Sequence, residues 1–278
     1  MKKLSSVLIF VCFFLPAFKA KAQKEPQLNF YGAGNIQKSL DNGEKIPAST
    51  GLGVNWNYWF PKPADTTKRF SFDKLELDAM INVAATVDTI IAKYDVNKLI
   101  TNSSTFGSSI LTPLNSGQAV KLSLRLNFRK PILFRSLFID GIKIKYVGSN
   151  RNWQFDNNGQ NQVIQGTNNY FRIGAFQEFL TKKLLDDYSI NFGLYIAYNS
   201  IQGDIGQKSN DSYRSKILGT TNTSFWGPEV ALEIRLKNLR AEFGYSWLGT
   251  DNEVPGLTGG RLLTTISFVG GFGLKLKD

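Results

Sequence analysis

Val120-Lys121-Leu122-Ser123-Leu124-Arg125-Leu126-Asn127-Phe128-Arg129 alternates apolar and polar side chains without interruption. Successive side chains of a β-strand leave on opposite faces, so this stretch presents one wholly apolar face and one face bearing Lys121, Arg125 and Arg129. A helix would scatter the same residues around its circumference. The period of two recurs on both sides of it. Leu52, Val54, Trp56, Tyr58 and Phe60 follow the pattern, as do Leu75, Leu77, Ala79, Ile81 and Val83, then Ile142, Ile144 and Tyr146. Further on come Phe171, Ile173 and Ala175; Ile190 to Tyr198; Val230 to Leu236; Ala241 to Trp247; and a last run from about Arg261 to Lys277. With a first strand around Leu28 to Asn35, the reading gives an all-β chain of about ten two-faced strands.

The connections decide what kind of all-β protein this is. Segments of roughly 33, 20 and 25 residues alternate with segments of roughly 7, 8 and 2, which puts the long loops at one end and both chain termini at the other. A soluble sandwich or lipocalin has no reason for that order, whereas an antiparallel transmembrane β-barrel does. The aromatic residues agree: Tyr58, Phe60 and Phe128 fall at the terminal rim and Tyr146, Tyr198, Phe225, Tyr245 and Trp247 at the far rim, as interfacial girdles. Two places are irregular. Leu137 and Ile139 are out of phase with Ile142 and Ile144, which predicts a bulge at Asp140-Gly141 or a strand that begins after it. Thr89 to Ile100 is half apolar and is read as an external hairpin arm or as an extra membrane pair that would give twelve strands.

The N-terminus reads as a leader. Lys2 and Lys3 precede an apolar run from Val7 to Phe18, too short to span a bilayer, and Ala20-Lys21-Ala22 supplies small residues for cleavage before Gln23. Residues 1–22 are thus expected to be a cleaved signal peptide and 23–278 a single outer-membrane barrel domain. Cys12, the only cysteine, leaves with the leader, which excludes disulfides and thiol chemistry from the mature chain. The leader holds four lysines and no acid, so the net charge falls from +11 to +7. Those charges are spread along alternating segments rather than bunched, which speaks against nucleic acid as a partner.

The polar phase supplies the candidate interior. Lys237-Asn238 marks a two-residue turn, which opposes Leu236 to Leu239, Ile234 to Ala241, Leu232 to Phe243 and Val230 to Tyr245 in one phase. In the other phase Arg235 opposes Arg240 and Glu233 opposes Glu242. Like charges repel across a register pair, so diagonal pairs Glu233 to Arg240 and Arg235 to Glu242 are expected. Glu76 and Asp78, against Lys121 and Arg125 of the next strand, read as lumen ion pairs. Arg129, Lys143 and Lys145 complete the lumen-lining set. Gly51, Gly53, Gly270, Gly271 and Gly273 lie within strands and mark bends in the wall. The external segments Gly148 to Thr167 and Asn199 to Asn222 are rich in Asn, Gln, Ser and Gly, with Trp153, Phe155 and Tyr213 as candidate binding residues.

Over essentially the whole mature chain these features resemble the small Gram-negative outer-membrane β-barrel proteins. The resemblance is one of architecture, and it departs at the C-terminus. Such barrels often end in an aromatic residue, whereas this chain ends Leu274-Lys275-Leu276-Lys277-Asp278 with Phe272 as the nearest aromatic. Enzymes among such barrels rely on a catalytic histidine, and the chain contains none. No Ser-His-Asp site, cofactor site or metal site is predicted, and the external acids are too sparse for calcium. The resemblance implies a non-enzymatic barrel in the cell outer membrane, in contact with its lipid, that is structural, adhesive or partner-binding through external loops toward another envelope protein. A small passive channel with anion preference and a small solute is the alternative. A periplasmic β-barrel carrier is the further alternative, and it requires the alternation to be inverted.

Overall fold

The computed structural model describes residues 25–39, 48–63, 71–84, 90–93, 118–134, 137–157, 160–179, 188–218, 220–236, 238–249 and 259–275. The expected signal peptide lies outside them. Eleven strands are formed: β1 (Gln27–Ser39), β2 (Ala48–Trp59), β3 (Phe72–Ala84), β4 (Ile90–Lys93), β5 (Gln118–Phe134), β6 (Leu137–Asn157), β7 (Gln160–Glu178), β8 (Tyr188–Gln202), β9 (Ser224–Leu236), β10 (Leu239–Leu248) and β11 (Gly259–Lys275). Ten of them, all but β4, pair antiparallel with their neighbours in chain order, and β1 pairs with β11 to close the ring. The fold is a closed ten-stranded antiparallel barrel, and the twelve-strand alternative does not occur among the described residues.

The register fixes the tilt. A path of paired residues leaves β1 at Gln27 and passes through Asn57, Glu76, Arg125, Lys143, Gly174, Tyr195, Glu229 and Ser246. It reaches β11 at Arg261, fourteen residues along that strand from Lys275, which pairs with Gln27 directly. A stagger of that size closes only if the strands lean steeply against the barrel axis.

The apolar phase faces outward and the polar phase inward. Leu52, Leu194, Ile196, Leu232 and Phe268 are exposed on the outer wall, while Glu76, Asp78, Arg125, Lys143, Lys145 and Glu233 are buried inside. The largest side chain with no exposure at all is an arginine, Arg172. A soluble protein shows the reverse distribution, and the alternation is not inverted as a periplasmic carrier would need.

At the terminal rim an aromatic chain crosses three strands. Trp56 and Tyr58 stack at 5.8 Å, Tyr58 meets Phe60 edge-on at 5.2 Å, Phe60 lies 5.8 Å from Phe72, and Phe72 stacks on Phe128 at 5.9 Å. At the far rim Tyr245 and Trp247 pack edge to face at 4.3 Å, and Tyr198 is exposed. Phe225 departs from its expected place in that girdle. It is fully buried on the inward phase of β9, and its neighbour Trp226 is the one that faces out.

Three further expectations are corrected. The irregularity expected at Asp140-Gly141 is there, but its extra residues belong to β5: β6 runs through from Leu137, and the register shift lies between the Asn127–Gly141 and Ile132–Ile139 pairs. Pro131, which has no N–H for a ladder, sits within it. Gly148 to Thr167 is not an external loop. It continues β6 and β7 as a hairpin arm down to the Asn157–Gln160 pair. Of Thr89 to Ile100, Ile90–Lys93 forms β4, which adds in parallel to the arm at Trp153 to Asp156 rather than to the barrel. Thr89 and residues 94–100 lie outside the described residues.

Between β8 and β9 the chain folds back on the barrel mouth. Two short 3₁₀ turns lead into α1 (Asp211–Leu218), and Gly203, at φ 81°, makes the entry. Arg214 is buried and donates to the carbonyls of Ile205 at 2.7 Å, Thr221 at 2.8 Å and Gln207 at 3.3 Å, besides pairing with Asp211. Hydrogen bonds from a charged group are worth about 1.5–3 kcal/mol. Arg214→Ala should therefore raise limited proteolysis within residues 203–218 by roughly tenfold or more, with heat-modifiable gel migration of the barrel unchanged. Equal cleavage rates in the two proteins would show that Arg214 does not hold this segment.

Candidate functional site

The strands bring one assembly of chemistry-bearing side chains together, inside the barrel. Its centre is Arg172, on the inward phase of β7. Its guanidinium hydrogen-bonds Glu229, lies 2.9 Å from Glu233 and 3.0 Å from Glu242, and covers the Tyr195 ring at 4.4 Å. Glu233 is shared with Lys143, and Glu242 is held by Lys145 at 2.9 Å. Tyr170 donates its hydroxyl to Glu229 at 2.7 Å.

A second cluster lies toward β3. Glu76 accepts from Arg235 at 3.0 Å, from Asn55 at 3.2 Å and from Lys74 at 3.4 Å. Asp78 accepts the Tyr31 hydroxyl and lies 3.4 Å from Lys121. Arg125 donates to Glu178 at 2.9 Å and to Asn191 at 3.1 Å over the face of Phe176. Arg240 covers the Tyr31 ring at 5.5 Å.

These pairs correct the expected diagonals. Arg235 does not turn to Glu242 on the adjacent strand but crosses the bore to Glu76, and β9 and β3 stand five strands apart in a ring of ten. Glu233 turns to Lys143 and Arg172 rather than to Arg240. The opposed like charges, Glu233 with Glu242 and Arg235 with Arg240, hold the predicted register but are drawn to partners on other walls. A bore this narrow puts those walls within reach of a Lys or Arg stem. Asp78 does pair with Lys121 of the next strand, as expected, while Glu76 and Arg125 are register partners that turn to Arg235 and Glu178 instead.

Glu76, Asp78, Lys121, Arg125, Lys143, Lys145, Glu233, Arg235, Arg240 and Glu242 share one cavity of about 60 Å³, room for a handful of ordered waters. Arg129 is not among them. Within the shift in β5 its guanidinium turns to the rim, donating to the carbonyls of Phe60 and Pro61 at 3.1 Å and Phe72 at 3.2 Å, 3.8 Å from Asp73. Trp153 and Phe155 lie on β6 in the arm, opposite Ile164 and Gln162, and Tyr213 lies in α1, so different elements carry them.

Sequence reading missed Arg172, Glu229, Glu178, Tyr31, Tyr170 and Tyr195. Arg172 and Glu229 were open to discovery, because each occupies the polar phase of a strand whose apolar phase was read. The tyrosines carry no such mark, since a phenol suits either wall. Glycines make space for them. A Cβ on Gly53 would fall 2.4 Å from the Tyr31 ring, and one on Gly193 2.2 Å from that of Tyr195, so these positions give the lumen aromatics room to lie against the wall.

Neither a family model nor a curated protein matches the chain. Among solved structures it is similar to the NanC porin, at 9% identity over 90% of this chain and 100% of that one, with a TM-score of 0.29. It is similar to OmpT, an outer membrane protein of Vibrio cholerae, at 10% identity over 90% and 100% with a TM-score of 0.24. It is also similar to OprD from Pseudomonas aeruginosa, at 8% identity over 92% and 97% with a TM-score of 0.21.

Proposed function

We propose that the protein is an integral barrel of the cell outer membrane, non-enzymatic, with a lumen closed by its own side chains. Its function, structural, adhesive or partner-binding, is then exercised from the end that carries the arm and α1. The observation that carries this reading is the filled bore: Arg172 is fully buried among three carboxylates, and Arg235 ties opposite walls together. The outward apolar face and the aromatic rims suit lipid, and a leader at residues 1–22 would deliver the chain to it. A wall that carries Lys121, Arg125, Lys143 and Lys145 on β5 and β6 favours the second reading, a passive channel preferring anions. In this structure each of those cations has a carboxylate partner.

Planar-bilayer conductance of the refolded mature chain separates the two. A folded, inserted, heat-modifiable barrel should be electrically silent. Discrete anion-preferring steps that weaken in Arg125→Glu would overturn the closed lumen and establish the channel.

A further inference from the structure

We propose that the lumen holds a small inorganic anion against the guanidinium of Arg240, an inference that rests on the closed-lumen reading. Every other lumen cation named above has a carboxylate within 4 Å, the longest of these pairs being Lys121 to Asp78 and Lys74 to Glu76 at 3.4 Å. Arg240 has none among the described residues. Its contact is the face of Tyr31, which accepts none of the five guanidinium N–H groups. The acids on that side are already engaged. Asp78 takes the Tyr31 hydroxyl and Lys121, while Glu76 takes Arg235, Lys74 and Asn55.

The surroundings supply the rest of an anion site. Ser267 is the register partner of Arg240, and Thr265 that of Glu242, so two hydroxyl-bearing residues of β11 line the same cavity, with Ser123 across it. Hydroxyls donate to anions, and Lys121, only partly engaged, lines the cavity as well. Arg240 is half-buried, and the nearby carboxylates Asp78 and Glu76 lie beyond ion-pair distance and are held by other cations, so a bound anion supplies the close counter-charge it lacks. The cavity, about 60 Å³, admits a halide or a tetrahedral oxyanion.

The test uses the refolded chain in a non-ionic maltoside detergent at constant ionic strength, with sodium gluconate replaced stepwise by chloride, and separately by phosphate. The thermal midpoint of the heat-modifiable form should rise saturably by several degrees with the small anion. Arg240→Gln should stay heat-modifiable and lose the response, and Arg240→Lys should keep a weaker one. Bromide-grown crystals should show an anomalous peak beside the guanidinium. A midpoint that does not depend on the anion, or the same dependence in Arg240→Gln, would overturn the site and leave the barrel standing. Absence of heat-modifiable migration in every anion would overturn the barrel and the site together.

Discussion

Arg172→Met should lower the stability of the barrel by roughly 3–5 kcal/mol, the range found when one partner is removed from a buried ionic group. The substitution keeps most of the stem and deletes the charge that holds Glu229, Glu233 and Glu242. Lys143 and Lys145 would remain for Glu233 and Glu242, but Glu229 would be left with the Tyr170 hydroxyl alone among the contacts described. Urea unfolding in lipid vesicles, followed by tryptophan emission, gives the number. Arg172→Lys should recover only part of the loss, because a compact ammonium lacks the planar five-donor fork that spans the three carboxylates. If Met at this position left the midpoint unchanged, the lattice would be a decoration of the lumen rather than its support.

The second large effect concerns two glycines on neighbouring strands. A Cβ at Gly174 would lie 2.0 Å from the carbonyl oxygen of Leu194 and 2.6 Å from the Cα of Tyr195, both backbone atoms of β8. Backbone cannot yield without parting the β7–β8 ladder, so Gly174→Ala should be destabilising by about 3 kcal/mol or more, whatever stands at position 195. At Gly193 the three nearest atoms all belong to the Tyr195 side chain. Gly193→Ala should therefore be milder, about 1–2 kcal/mol, and its penalty should vanish in a Tyr195→Ala background. The same urea assay on the four proteins forms the cycle. Strict additivity at 193 and 195 would show that the ring and the glycine do not share the space assigned to them.

What the sequence makes legible is whatever a period of two determines. The alternation in Val120 to Asn127 assigns inside and outside correctly, and the Lys237-Asn238 turn gives the β9–β10 register residue for residue. What escapes is whatever depends on the circumference. That Arg235 meets Glu76 follows from ten strands closing with a stagger of fourteen, and no local pattern reports either quantity. The arm escaped for another reason. Its strands are rich in Asn, Gln and Gly, which interrupt the apolar alternation, and only Asn158-Gly159 signals a hairpin there. Phe225 escapes because it lies at the start of β9, where one step of phase changes the face, and Arg129 because it lies in the bulge of β5.

The bridge between Glu76 and Arg235 joins residues separated by 159 positions in the chain. Neither partner can find the other until β9 has been laid against β8 and the ring is nearly complete, so the bridge belongs to the last stage of assembly. Contacts made after the folding transition state slow departure from the native state without hastening arrival. The bridge is thus a fastener for the finished cylinder: it contributes to how long the barrel survives, and little to how fast it forms.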